Sequence, residues 1–335
     1  MNKLTAMNQI RRVIVYSPGV PGLTNALSKA LPRIQVVEIT DLSEEATEHF
    51  HNEILVTNND MIGPLLYRPH GQFAFIQGTW AGVESIFSHI KKDKERPTLQ
   101  VARFTNRQFS QLMSEYTLGQ VINSERGLLT IRDDQTLGTK SWRSDEFAHP
   151  RLIKELTIGI LGVGNIGREI ARTFQFFGAR ILGLTRRFPS QHRSPFVSHY
   201  YETSTLHEML PQCDYICNVL PRTSQTTRLL TDELLKSCQA RRPVFINIGR
   251  DNVVDDQTLL RALDEDWLRQ AVLDVFAEEP LPSDHSFWSH PKIVITPHIA
   301  GPTRASDVAD CLRANLELFD QGAPIENLVD WEAQY

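Results

Sequence analysis

The sequence predicts an α/β chain folded as two doubly wound domains with a cleft between them. Three observations lead there. The chain has 335 residues, 41% hydrophobic and 22% charged, enough for two cores at about 150 residues per domain. Short apolar runs of strand length alternate with longer stretches of helical spacing, the βα alternation that builds parallel sheets. A glycine-rich hexapeptide at 162–167 stands between a strand-like and a helix-like segment.

In the first part of the chain, apolar runs at 13–16, 35–39, 54–57, 73–76 and 99–104 read as strands. The stretches 23–31 and 83–90 between them fit helices. The stretch 106–125 has few breakers and spaces Phe109, Leu112, Met113, Tyr116, Leu118, Val121 and Ile122 close to a helical period, so it carries the chain into a second domain. There the strands are clearer, at 156–161, 180–185, 215–220, 243–248, 271–276 and 293–296, with helices fitting between them. After Pro302, 303–321 reads as one amphipathic helix that returns to the first domain. The expected division is 1–106 with 298–335 against 107–297, with the crossings near Asn106 and Pro297 acting as a hinge.

A net charge of −5 gives no reason to expect a nucleic acid or an acidic membrane surface as partner, since both attract strongly basic patches. Cys213, Cys217, Cys238 and Cys311 are scattered without a second close pair, so no zinc pattern forms and reduced, structural thiols are expected. The first twelve residues are polar and lead only into the short run 13–16, unlike a secretory signal. No run of about 18 apolar residues suggests a membrane span. A cytoplasmic protein is the expectation.

Gly162-Val163-Gly164-Asn165-Ile166-Gly167 follows the strand LTIGIL and opens the helical stretch REIARTFQFFGA. In that setting Gly162 permits the tight turn, Gly164 lets backbone approach a pyrophosphate, and Gly167 lets helix and strand pack closely, as in a Rossmann dinucleotide-binding domain. An NAD site of this kind places Asp or Glu about 20 residues on, against the ribose 2′-hydroxyl. Here the next strand ends in Leu184-Thr185-Arg186-Arg187, and a neutral residue followed by two guanidinium groups suits a 2′-phosphate. NADP is therefore the expected cofactor, with NAD the alternative if the two arginines are only solvated charges. The expected cofactor set also takes in Asn165 and Ile166 of the motif, Thr185, and Leu220, Pro221 and Ile248 at or just beyond strand ends.

Three further segments fall beyond strand carboxyl ends, where a doubly wound sheet places its ligands. They are Asn247-Ile248-Gly249-Arg250, the stretch LDVFAEEP from Leu273 to Pro280, and Thr296-Pro297-His298-Ile299-Ala300-Gly301. With the glycine motif, and in this order and spacing, they resemble the D-isomer-specific 2-hydroxyacid dehydrogenases across nearly the whole chain. The resemblance implies a flavodoxin-like substrate domain beside the Rossmann domain. It makes Arg250 the holder of the substrate carboxylate, a task suited to a two-pronged planar cation. It makes His298 the general acid/base. Glu279, before Pro280, orients the imidazole and favours its protonated form, and Asp274 lies near the nicotinamide amide. Singly each has an ordinary alternative: Arg250 could cap a strand, Glu279 could be surface charge beside Glu278, and His298 could be a buried hydrogen-bonded ring.

The loop Gln77-Gly78-Thr79-Trp80-Ala81-Gly82-Val83 resembles the family's carboxylate-cradling loop. Trp80, Ala81 and Gly82 are then substrate-binding, with Trp80 limiting substrate size. Trp142 has a counterpart in a segment that helps form dimers, so a homodimer is expected. Where the family often has Gly after the catalytic arginine, this chain has Asp251, which could weaken anion attraction. The Trp-Ala-Gly loop with Thr-Arg-Arg most resembles the NADPH-dependent glyoxylate and hydroxypyruvate reductases, which act on small anionic 2-keto acids. A broader D-2-hydroxyacid dehydrogenase, or a dinucleotide-sensing binding protein akin to the family-like co-repressors, are the alternatives. A formate-type dehydrogenase is disfavoured because glutamine stands there in place of Glu279.

Overall fold

The computed structural model describes residues 12–50, 52–68, 73–91, 95–137, 140–186 and 194–335, and these divide into two compact units, Met1–Asn106 with Thr303–Tyr335, and Arg107–Pro302. The first contains β1 (Arg12–Tyr16), α1 (Leu23–Ala30), β2 (Gln35–Glu38), α2 (Glu44–Thr47), β3 (Glu53–Thr57), β4 (Phe73–Gly78), α3 (Glu84–Phe87) and β5 (Val101–Ala102). Its strands pair in parallel in the order β2-β1-β3-β4-β5, the flavodoxin-like order with its switch point between β1 and β3. Every residue of the central strand β3 is buried, whereas β2 at the edge is not, which is why 53–57 carries a near-continuous apolar run.

The second unit contains α4 (Arg107–Arg126), α5 (Leu128–Thr136), β6 (Thr157–Leu161), α6 (Asn165–Phe176), β7 (Arg180–Leu184), β8 (His199–Tyr201), α7 (Leu206–Met209), β9 (Tyr215–Asn218), α8 (Asp232–Lys236), β10 (Val244–Asn247), α9 (Asp256–Asp264), β11 (Gln270–Leu273) and β12 (Ile293–Ile295). The sheet order β12-β11-β10-β9-β6-β7-β8 is the Rossmann 3-2-1-4-5-6 order with one further strand, and its switch point lies between β6 and β9. The final helix, α10 (Ala305–Asp320), belongs to the first unit and packs on α1.

The structure differs from the sequence expectations in a few elements. Strand β8 is additional, β5 is shorter than 99–104, and the helix expected at 83–90 is confined to α3. The second crossing falls after Pro302, so 298–302 pack with the second unit. The reason is chemical: amides in that stretch bind a carboxylate of the second unit, described below.

Opposite the strand carboxyl ends, the second sheet is tied by a partly buried ionic network. Glu125 accepts from Arg151 Nε at 3.0 Å and Nη2 at 2.7 Å, from Tyr215 Oη at 2.6 Å, and from Arg269 Nη2 at 3.1 Å. Asp214 accepts from Arg151 Nη1 at 2.7 Å, from Arg241, and from the Thr157 backbone N–H at 2.8 Å. Burial works to raise the Glu125 pKa, but the hydrogen bonds from Arg151 and Tyr215, the Arg151 charge and Arg269 outweigh it and hold the carboxyl below its ordinary 4.5. The four cysteines are free and buried, and burial pushes the thiols of Cys217 and Cys238 up to about 12. Among the described residues no helix is long and apolar enough to cross a membrane.

Replacing Glu125 with Gln leaves Arg269 without this carboxylate and Arg151 with Asp214 alone, and is expected to cost about 2 kcal/mol, less than a fully buried pair because the arginines are part-exposed. A folded pKa below the unfolded one stabilises above the unfolded value and loses that contribution as pH falls through the folded value. Urea unfolding should therefore show a wild-type advantage at pH 7 that shrinks on acidification below 4.5. An advantage constant with pH would contradict the ionic account.

Candidate active site

The glycine loop sits at the end of β6. Gly162 has φ 105°, a left-handed conformation that a side chain resists. A Cβ on Gly167 would lie 2.1 Å from the Gly162 carbonyl oxygen, so helix α6 starts pressed against the turn that precedes it. Around Gly164 there is open space within 4 Å of a built Cβ, and no side chain caps the first turn of α6. Backbone amides at that end are thus presented to a ligand with the helix dipole behind them, an arrangement that fits a dinucleotide diphosphate. Asn165 and Ile166 form the first turn of α6.

Thr185 follows β7 and is held by its backbone N–H to Tyr201 O at 2.9 Å, with Arg186 exposed beside it; Arg187 lies outside the described residues. Leu220 approaches Gly162, its Cδ2 being 3.2 Å from the Cβ position there. Pro221 O accepts from Thr226 Oγ1 at 2.7 Å, and Ile248 is buried with its N–H on Asn218 O at 3.2 Å.

Arg250, Glu279 and His298 stand beyond β10, β11 and β12 respectively. His298 Nδ1 and Glu279 Oε2 are 2.7 Å apart, and the other carboxylate oxygen accepts from the Phe276 backbone N–H at 2.9 Å. The glutamate is therefore locked by its own turn before it meets the ring. A carboxylate accepts, so the Nδ1 proton stays on the ring and is donated to Glu279, which leaves Nε2 as the nitrogen open to a reactant. Both side chains are part-exposed, His298 at 53% and Glu279 at 36%, so the pair is open to a reactant. His298 has φ 54°, which costs a non-glycine residue on the order of 1 kcal/mol and must be held by its surroundings.

The holding group is Asp274, 1% exposed. Its Oδ1 accepts from Thr296 Oγ1 at 2.6 Å and from the Ile299 N–H at 2.9 Å, and its Oδ2 accepts from the Ala300 N–H at 2.9 Å. Residues on either side of His298 are thus tied to one buried carboxylate. Tyr116 Oη of α4 lies 2.6 Å from Thr296 Oγ1. Because the threonine proton is committed to the carboxylate, the phenol is the donor in that contact. Burial pushes the Tyr116 pKa up to about 12, so the phenol keeps its proton.

Arg250 is set by two buried asparagines. Asn218 Nδ2 donates to Asn247 Oδ1 at 2.8 Å, and the Nδ2 atoms of Asn218 and Asn247 donate to the Arg250 carbonyl at 3.3 and 3.1 Å. Its guanidinium donates to Gly249 O at 2.7 Å. Asp251 pairs with Arg222, a cation that offsets the acidic neighbour. The sequence reading missed Asn218, Thr296 and Tyr116. Their signal was a polar residue at the end of an apolar strand or on a buried helix face.

In the first unit, Asn59 orders the 77–83 loop. Fully buried, it donates to the carbonyls of Trp80, at 2.9 Å, and Gly82, and accepts from the Trp80 N–H at 3.2 Å. Thr79 O and Trp80 O also accept, from Thr303 Oγ1 and Phe104 N–H, both at 3.0 Å. With carbonyls turned to protein donors, the N–H groups of Ala81 and Gly82 donate to no acceptor among the described residues. Adjacent amides without a protein acceptor are available to an anion. Trp80 is half-buried beside them.

These features agree with the comparisons to known proteins. The family described as "D-isomer specific 2-hydroxyacid dehydrogenase, NAD binding domain" matches residues 118–300, more than half of the chain. A glyoxylate/hydroxypyruvate reductase A of Salmonella newport is 29% identical over 332 residues, 95% of this chain and 98% of that protein. The crystal structure of a D-isomer specific 2-hydroxyacid dehydrogenase family protein of Aeromonas salmonicida has a TM-score of 0.78 at 30% identity, covering 96% of this chain and 99% of that one. That of an NADPH-dependent glyoxylate/hydroxypyruvate reductase of Sinorhizobium meliloti, in complex with NADP and sulfate, has a TM-score of 0.80 at 25% identity, covering 97% and 100%. The chain belongs to the D-isomer specific 2-hydroxyacid dehydrogenase family, and the glycine loop of its second unit lies within the residues that match that family's NAD binding domain.

Proposed function

We propose that this protein reduces a small anionic 2-keto acid, of the glyoxylate or hydroxypyruvate kind, to the 2-hydroxy acid and prefers NADPH. The observation that carries the reading is the 2.7 Å contact between His298 Nδ1 and Glu279 Oε2, at the carboxyl edge of the sheet that bears the glycine loop. The cofactor supplies a hydride to the keto carbon. Nε2 of His298 gives a proton to the keto oxygen, and Glu279 holds the ring in place through Nδ1. Arg250 takes the substrate carboxylate and polarises the carbonyl; in the first unit, the amides of Ala81 and Gly82 are donors of the kind a carboxylate accepts from.

Gly162, Gly164 and the first turn of α6 would hold the diphosphate, and Arg186 with Arg187 the 2′-phosphate. The named relatives from Salmonella newport and Sinorhizobium meliloti support the substrate class, and the latter's NADP complex supports the cofactor.

Initial rates with NADPH and NADH against glyoxylate, hydroxypyruvate, pyruvate and a phenyl-substituted keto acid test this. Fast turnover of the first two with NADPH is expected, with His298→Gln slower by about a thousandfold, within the usual range for a lost general acid. Converting Arg186 and Arg187 together to Gln should raise the KM for NADPH about tenfold and leave that for NADH nearly unchanged. An undiminished His298→Gln rate, or equal use of both cofactors by the wild type, would sink the corresponding part of the reading.

The same reading makes the protein a homodimer. Leu128, Leu129 and Ile131 on α5, with Leu137 and Trp142 after it, are 40–93% exposed, an apolar surface of the kind a second copy covers. Sedimentation velocity should give a dimer, and Ile131→Asp with Leu137→Asp a monomer; a monomeric wild type would refute it.

A further inference from the structure

We infer that Tyr116 and Thr296 are positioning residues for His298, acting through Asp274 as one hydrogen-bonded chain. The inference rests on the functional reading above and adds residues to it. The chain runs from the Tyr116 hydroxyl to Thr296 Oγ1 at 2.6 Å, and from the Thr296 hydroxyl to Asp274 Oδ1 at 2.6 Å. From there the carboxylate holds the N–H groups of Ile299 and Ala300, each at 2.9 Å. Every donor and acceptor along it has a defined partner, so the chain has one direction of donation and one geometry.

The arrangement explains three separate facts. A histidine occupies the left-handed backbone region, with φ 54°, a conformation uncommon for a residue with a Cβ. A carboxylate lies 1% exposed without a cationic partner among the described residues, because hydroxyl and amide donors converge on it instead. A tyrosine hydroxyl from α4 ends against a threonine hydroxyl 180 residues away in sequence. Removing the threonine hydroxyl leaves the phenol without its acceptor and the carboxylate one donor short, so the loop carrying His298 loses a fixed anchor. Glu279 would still reach Nδ1, but the ring would no longer be held from both its backbone and its side chain. The loss then falls on the orientation of the acid toward the keto oxygen and not on cofactor binding.

Thr296→Val keeps the shape and removes the hydroxyl, Thr296→Ser restores it, and Tyr116→Phe removes the far donor. In the full-length protein Thr296→Val is expected to lower kcat about tenfold, as misplacement of an acid does, with the KM for the keto acid and the Kd for NADPH within about twofold of wild type. Thr296→Ser should recover most of that loss. Adding Tyr116→Phe to Thr296→Val should cost almost nothing further, because the chain is already broken. Hydrogen exchange of the peptide covering 296–302 reads the loop without any substrate, and its protection should fall in Thr296→Val and return in Thr296→Ser.

An unchanged kcat with unchanged exchange in Thr296→Val overturns the inference. So does equal impairment of Val and Ser, which marks simple packing, or a loss confined to NADPH affinity, which puts Asp274 at the cofactor alone. A wild type inert toward every keto acid, with the expected pattern of exchange, would instead overturn the functional reading and leave the anchoring chain standing.

Discussion

A carboxylate buried without a cationic partner among the described residues is an expensive feature, and in this protein the site is arranged around one. Asp274 sits at the end of β11, 1% exposed, and is satisfied by donors from the segment that carries His298. That exchange of hydrogen bonds fixes the backbone on both sides of the histidine and holds it at a φ that it would not adopt alone. Glu279 then needs only to meet the ring from the side, locked by its own turn at Phe276. Ring orientation and backbone position are thus set by two different carboxylates, one buried and one part-exposed.

The second sheet separates stability from chemistry along the strand direction. At the amino ends of β6, β9 and β11, Glu125, Asp214, Arg151, Arg241 and Arg269 form a network in which every carboxylate has arginine partners. At the carboxyl ends the polar groups are asparagines, a threonine and an aspartate that hold backbone. There hydroxyl, amide and carboxamide groups fix the loops, and the acidic neighbour of Arg250, Asp251, is paired with Arg222.

Much of this was legible in the chain, for reasons that differ between elements. Central strands such as β3 and β6 are buried on both faces and so read as unbroken apolar runs. Strand β8 did not, because HYY is short and begins with an exposed histidine. The Gly162 to Gly167 motif was legible because its spacing and setting follow from one backbone geometry. Arg250, Glu279 and His298 were legible only as a set and through resemblance, since each alone has an ordinary structural explanation. Asn59, Asn218, Tyr116 and Thr296 were not, because their roles depend on partners that the fold supplies: Thr296 and Tyr116 are 180 residues apart, and Asn59 and Trp80 are 21 apart. Asp251 looked anomalous for the same reason, its partner Arg222 being 29 residues upstream.

The central claim is that Glu279 fixes the His298 tautomer so that Nε2 faces the reaction. Long-range proton–nitrogen correlation spectra of protein labelled with nitrogen-15 histidine test it directly, with the His298 signals among the 11 histidines assigned from His298→Gln. The account predicts that the neutral His298 ring carries its proton on Nδ1 and leaves Nε2 without one. A neutral ring protonated at Nε2 would contradict it.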